Sequence, residues 1–176
     1  MNKYINQYRF EDSTCYVDCF DTKGNLRGSI IIDIEDYDLV KNYQWHIENS
    51  RAGLQYGQAN LKNDNPKGKT IRMHRLLIPN AEQIDHINHN GLDNRKANLR
   101  ICNNRENNCN KHFQMNPKSG YTGIRYNEKV GSYYVRIMVQ KKEISLGHYK
   151  TLEDALEARK QGEIKYFGNF RYNRNA

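Results

Sequence analysis

MHRLLIPNAEQIDHINHNGLDNRKANLRICNNRENNCN, residues 73–110, is the stretch on which the reading of this chain turns. Asp85 and His86 are adjacent, so a local bend can present both side chains to one centre. Asn98 follows His86 by twelve positions and Asn107 follows Asn98 by nine. The loop LDNRKAN and a short strand, LRIC, join them, and NNRENNCNK opens a helix that carries Asn107. Side chains so rich in amides pair badly with a dry core and suit loops that bond backbone, metal or phosphate. Leu76, Leu77, Ile78, Ile84, Ile87, Leu92, Leu99 and Ile101 punctuate the stretch regularly, which argues for a folded segment over low-complexity disorder.

These residue types fit the hydrolysis of a phosphodiester. A water must lose a proton, the charge gathering on phosphorus must be neutralised, and the leaving 3′ oxygen must be stabilised. A neutral imidazole is the natural base near neutral pH. A carboxylate and an amide oxygen are hard ligands suited to Mg²⁺ or Mn²⁺, which acts as a Lewis acid on phosphoryl and leaving oxygens. An Asn behind the base can fix its ring. On proximity alone, His89 and Asn88 rival His86 and Asn98. His112 could replace Asn107 on the helix, although five residues further along it lies about 140° round the axis.

With these residues in place, the stretch resembles the HNH, or ββα-metal, endonucleases, in which a β-hairpin and a helix clasp one metal ion. The resemblance implies that Asp85 and Asn107 bind a single Mg²⁺ or Mn²⁺ and that His86 is the general base. It implies further that Asn98 closes the hairpin and orients that base. His74, in MHRLL, resembles a recurrent His upstream of the motif. The mechanism implied is one-metal hydrolysis that leaves 5′-phosphate and 3′-hydroxyl ends.

Upstream, residues 1–70 read as β-rich. CYVDCFDTKGNLRGSIIIDI holds two apolar runs around the turn DTKGN, EDYDLVKNY reads as a short helical turn, and Trp45 anchors a core. QWHIENSRAGLQYGQANLKNDNPKGKTIRMHRLL suggests strands broken by a polar hairpin loop, KNDNPKGK. EDYDLV, YQWHI and MHRLL resemble the β-rich lead that precedes the motif in phage-type members of the family.

Downstream, FQMNPKSG reads as a linker. YTGIRY, YYVRIMVQ and EISLGHY read as three strands, with Val135, Ile137 and Val139 alternating against Tyr134, Arg136 and Met138. Thr151 and Asp154 open a helix that gathers Leu152, Ala155, Leu156, Tyr166 and Phe167 on one face, where Arg159 and Glu163, four apart, can pair. YTGIRY, GSYYVRI, ISLGHYKTLEDALEA and KYFG resemble the AP2 DNA-binding domain over residues 119–173. The resemblance implies a sheet laid in the major groove of DNA, with Arg125, Tyr133, Arg136, Lys141 and Lys142 as contacts. Tyr133 stands where Trp is usual in that family, and Tyr134 where a basic residue often stands.

The whole chain has 176 residues and a formal charge of +8, with 37% hydrophobic residues and a mean hydropathy of −1.00. Small modules with thin cores suit such a composition. The excess of Lys and Arg falls between residues 71 and 150, where a polyanion would be met; Arg75, Arg95, Arg100, Arg105 and Lys111 are candidates to hold its backbone along with His74. No run approaches the roughly 20 apolar residues of a membrane span, and the N-terminus lacks the apolar core of a signal peptide. The four cysteines, at 15, 19, 102 and 109, form no C-x-x-C knuckle and read as free thiols rather than a zinc site. The expectation is therefore an α+β protein in two parts. Residues 1–115 form a nuclease, with a β-rich lead over 1–70 and a ββα-metal core over 71–112, and residues 116–176 form an AP2-like DNA reader of three antiparallel strands and one helix. The expected partner is double-stranded DNA and no membrane, in the cytoplasm of a bacterium or phage-infected host cell. Homing is the first expected role, with restriction or defence, or non-catalytic DNA-binding regulation, as rivals. One active site per chain cuts one strand, so a double-strand break calls for a homodimer on DNA or two encounters.

Overall fold

A computed structural model describes residues 5–50, 53–61, 69–109 and 120–171, with the side chains of Arg105 and Asn108 outside the description. Most of the polar loop KNDNPKGK, most of the linker FQMNPKSG, Lys111 and His112 lie outside the described residues. The architecture is α+β, with several small antiparallel sheets and few helices. The chain divides into two compact units, the first ending at Cys102 and the second beginning at Asn103. The division thus falls earlier in the chain than the expected start of the linker.

In the first unit, strands β1 (Gln7–Glu11), β2 (Thr14–Phe20) and β3 (Leu26–Asp33) form one antiparallel sheet. The turn expected at DTKGN joins β2 to β3, with Asp21 Oδ1 accepting from the N–H groups of Lys23 and Asn25. Strand alternation sends Cys15, Val17 and Cys19 of β2 and Ile30 and Ile32 of β3 inward, all at 1% exposure or less. The acidic segment that follows is a 3-10 turn (Ile34–Asp36) and a single helical turn, α1 (Tyr37–Val40).

A second sheet holds β4 (Trp45–Asn49), β5 (Gln55–Leu61) and β6 (Lys69–Arg72). Trp45 closes the core as expected, its indole N–H donating to Val40 O at 2.9 Å. Asn6 stitches the two sheets. Its amide donates to Asp18 O at 3.1 Å and Trp45 O at 3.0 Å, and its oxygen accepts from Trp45 N at 2.7 Å. MHRLL, read from sequence with the strands, is instead a helical turn, α2 (Met73–Leu77), that buries Met73 and His74. Strands β7 (Gln83–His86) and β8 (Leu99–Cys102) pair as a two-stranded hairpin.

The second unit opens with helix α3 (Asn104–Cys109). Asn103 Oδ1 accepts from Glu106 N and Glu106 Oε2 accepts from Asn103 N, each at 2.9 Å, a reciprocal cap that fixes the start of the helix. Then come β9 (Ile124–Asn127), β10 (Ser132–Val139) and β11 (Lys142–Tyr149), in the order β11-β10-β9, and helix α4 (Leu152–Phe167). Thr151 caps α4 as expected, accepting from Asp154 N at 3.1 Å. Ile124, Val135 and Ala155 form the core between sheet and helix, with Leu146, Leu152 and Leu156 against it. Arg159, only 7% exposed, pairs with Glu163 at 2.8 Å and donates to the Arg136 carbonyl. Gly123, at φ +73°, lets the backbone pass this guanidinium; a Cβ there would stand 2.4 Å from both Arg159 Nη1 and Arg136 O.

Candidate functional site

The site is built on the β7–β8 hairpin. Asp85 and His86 are consecutive residues of a strand, not of a bend, so their side chains leave opposite faces. Asp85 lies directly across from Arg100. Arg100 donates to Asp85 Oδ2 from Nη2 at 2.6 Å and from Nε at 3.0 Å. On the other face, the His86 ring meets His74 edge to face, with centroids 5.1 Å apart, and Tyr56 lies 6.0 Å away. Tyr56 also packs on His74, while Arg72 stacks 4.6 Å above the Tyr56 ring.

Both imidazoles are 7% exposed. Burial pulls His86 below the usual histidine range, against the opposing pull of Asn94 and of the carboxylates Asp85 and Asp93. Burial also takes His74 down to about 3, helped by the nearby charges of His86, Arg72 and Arg75. Both rings are therefore neutral at neutral pH, the state a general base requires.

The long loop between β7 and β8 carries the amides, and each has a definite task. Asn98 Oδ1 accepts from Asn88 N at 2.9 Å and its amide donates to Asp93 O at 2.7 Å, so Asn98 staples the loop shut. These hydrogen bonds go to the loop backbone rather than to the His86 ring. The group facing that ring is Asn94, a residue the sequence did not single out. Fully buried, it donates from Nδ2 to Leu92 O at 3.0 Å, which turns Oδ1 toward His86 Nε2 at 3.4 Å. An acceptor at that position favours the ring proton on Nε2 and a lone pair on Nδ1. Asn88 and His89, the rivals, both help build the loop. Asn88 accepts from Asn90 N and donates to Asp93, and His89, at φ +62°, donates its N–H to His86 O at 3.0 Å.

The lead holds this loop in place. Ile31 of β3 donates to Leu92 O at 2.8 Å and accepts from Asn94 N at 2.7 Å, so the loop runs along the β3 edge. Asp33 Oδ2 accepts from Lys96 N at 2.7 Å, and the Lys96 ammonium reaches Glu35 and Asp36. Gly91 passes close over β5, where a Cβ would lie 2.3 Å from Gln55 O and 2.7 Å from the Tyr56 ring. No side chain larger than hydrogen fits there without displacing the strand.

Several candidate DNA contacts are engaged inside the protein. Arg95 forms a two-pronged pair with Asp93, at 2.9 and 2.7 Å, which with its other hydrogen bonds keeps the Asp93 carboxyl below the usual range despite burial. Arg75 donates to the carbonyls of Ala81 and Glu82 and pins the chain after α2. In the second unit, Arg125, Tyr134, Arg136 and His148 share the exposed sheet face: Tyr134 lies across from both Arg125 and His148, and Arg136 pairs with Glu143. Tyr133 departs from expectation as a DNA contact. It occupies the opposite face and packs on the core with α4. Lys141 and Lys142 are exposed at the β10–β11 hairpin, the former at φ +63°. Asn107 is half-buried on α3 in the second unit. The side chain of Arg105, and Lys111, lie outside the description.

Among the described residues no three His, Cys, Asp or Glu side chains gather as a metal site, and all four cysteines are free thiols. The Asp85 carboxylate and the Asn107 amide carry oxygen donors, the chemistry that a magnesium-like ion takes while completing its shell with water and phosphate. Among the described residues no helix is long and apolar enough to cross a membrane.

No protein-family model matches the chain, and no solved structure does. The chain is similar to an uncharacterised HNH endonuclease of Acanthamoeba polyphaga mimivirus, 26% identical over 116 residues, covering 61% of this chain. It spans about half of that relative's length, 55%. This distant likeness supports a nuclease of the HNH kind.

Proposed function

We propose that the chain is a metal-dependent DNA endonuclease of the HNH type, hydrolysing phosphodiester bonds with His86 as general base. The observation that carries the reading is the placement of a neutral, nearly buried imidazole and an ion-paired carboxylate on successive residues of one short strand, above a loop clamped by Asn94 and Asn98. In-line displacement puts the attacking water and the leaving oxygen on opposite sides of phosphorus.

In this reading His86 accepts the proton of the attacking water on Nδ1, while Asn94 holds the ring through Nε2. Asp85 and Asn107 would hold Mg²⁺ or Mn²⁺, one ion per site, which when bound supplies a Lewis acid to the leaving 3′ oxygen. Asn98 keeps the loop closed, so that the ring meets its water without first ordering the chain. The products are 5′-phosphate and 3′-hydroxyl ends. The exposed sheet face of the second unit, with Arg125, Arg136, Lys141 and Lys142, would contact duplex DNA in the AP2-like manner, and homing is the role we assign. Restriction or defence would use the same chemistry. The rival from another class, a DNA-binding regulator that does not cut, draws on one observation: Arg100 already neutralises Asp85.

Nicking of supercoiled plasmid in Mg²⁺, Mn²⁺ or EDTA separates these readings. Wild type should nick with a divalent ion and stop in EDTA. His86→Ala should lose nicking by roughly 100-fold or more and keep its DNA affinity. Wild type that binds DNA and cuts it with neither ion would establish the regulator instead.

A further inference from the structure

The Asp85–Arg100 pair contrasts with a second Asp–Arg pair a few residues away. Arg95 meets Asp93 prong to prong, Nε to Oδ1 and Nη2 to Oδ2. Arg100 instead brings Nε and Nη2 to a single oxygen, Oδ2 of Asp85. Both side chains of this pair are largely withdrawn from water, at 15% exposure for Arg100 and 9% for Asp85. A carboxylate so placed needs a counter-charge. The register of β7 and β8 supplies it, because Asp85 and Arg100 stand directly opposite each other.

This arrangement sets up a competition. A divalent cation arriving at Asp85 meets a guanidinium already on the carboxylate and is repelled by it. For the cation to bind well, Arg100 must leave the Asp85 carboxylate. A DNA phosphate is an anion that also accepts from a planar, forked donor.

Resting on the nuclease reading, we infer that Arg100 is an exchangeable counter-cation: it holds Asp85 in the free protein, opposes metal binding there, and passes to a backbone phosphate when DNA brings one to the site. Metal and DNA then promote each other's binding, since any coupling of two ligands through one protein is reciprocal. The free protein takes up its ion poorly, and the protein on DNA takes it up well. Arg100 is a positioning residue in this scheme, acting on the cation through Asp85.

The test is calorimetric titration of the full chain with Mn²⁺, for wild type, Arg100→Met, Arg100→Lys and Asp85→Asn. Arg100→Met should bind Mn²⁺ roughly 5- to 100-fold more tightly than wild type, the usual span of such couplings. Arg100→Lys should stay near wild type, and Asp85→Asn should lose the ion. In a His86→Ala background, Mn²⁺ should tighten binding to a duplex of arbitrary sequence, and adding Arg100→Met should remove that gain. Should Arg100→Met fail to fold, the Nε–H resonance of Arg100 in His86→Ala decides. It should shift when a duplex and Mg²⁺ are added together, and constancy at saturation of both overturns the exchange. If Asp85→Asn binds Mn²⁺ as wild type does, the metal site is wrong and the nuclease reading falls with it. If Asp85→Asn loses the ion while Arg100→Met binds it no more tightly, Arg100 only orients the carboxylate and the exchange alone is refuted.

Discussion

His74 and His86 meet edge to face with almost no water around them, and that burial has a thermodynamic consequence. His74 is held near a pKa of about 3, whereas an unfolded chain would protonate it near its ordinary value of about 6.5. Below that ordinary value the unfolded state binds a proton that the folded state refuses, so stability falls with pH from about 6.5 toward 3. Asp18 and Asp93, both held below the usual carboxylate range, add to the loss at the acid end, because their carboxylates are protonated more readily when unfolded. The melting temperature should therefore drop steadily between pH 7 and pH 4, and His74→Phe should flatten that dependence, as read by circular dichroism. A pH profile unchanged by the substitution would mean that His74 is far better solvated than its 7% exposure implies. At this scale the sequence was partly legible. Asp85 and His86 stood out because their chemistry is scarce. Asn94 did not, because Asn88, Asn90, Asn94 and Asn98 crowd one loop and only the folded backbone tells which of them faces the ring.

Elements were legible where period and caps agreed. Helix α4 was readable from Thr151, Asp154 and its apolar face, and β10 from the alternation of Val135 and Ile137 with Arg136 and Met138. Strand β1 was missed: four of its five residues, including Phe10, are exposed, and it carries no alternation to read. Helix α2 was missed because a single turn is too short to display a helical period. The β10–β11 hairpin holds a feature that only dihedral angles reveal. Gln140 and Lys141 both take positive φ, +52° and +63°, in a two-residue turn that normally uses Asn-Gly. A side chain in this region costs about 1 kcal/mol or more. Lys141→Gly should thus raise the unfolding free energy by about 1 kcal/mol in urea. The same substitution should lower the salt-dependence slope of DNA binding by about 1 if Lys141 meets a phosphate. A gain in stability with an unchanged slope would remove Lys141 from the interface.

For the molecule as a whole, the basic excess between residues 71 and 150 was legible in the sequence, and the internal pairing of those charges was not. Of the arginines between residues 71 and 150, Arg75, Arg95 and Arg100 are tied to the fold by carbonyls or carboxylates of the first unit. The lead, which sequence could only describe as β-rich, lends its β3 edge and Asp33 to the loop between β7 and β8. Such a dependence between residues 63 positions apart leaves no local trace in the sequence. The most direct test of the nuclease reading is cleavage of an end-labelled DNA duplex by wild type and Asp85→Asn in Mg²⁺, with the product ends identified. Wild type should yield 5′-phosphate and 3′-hydroxyl ends and Asp85→Asn almost none. Ends bearing a 3′-phosphate, or equal cutting by Asp85→Asn, would contradict it.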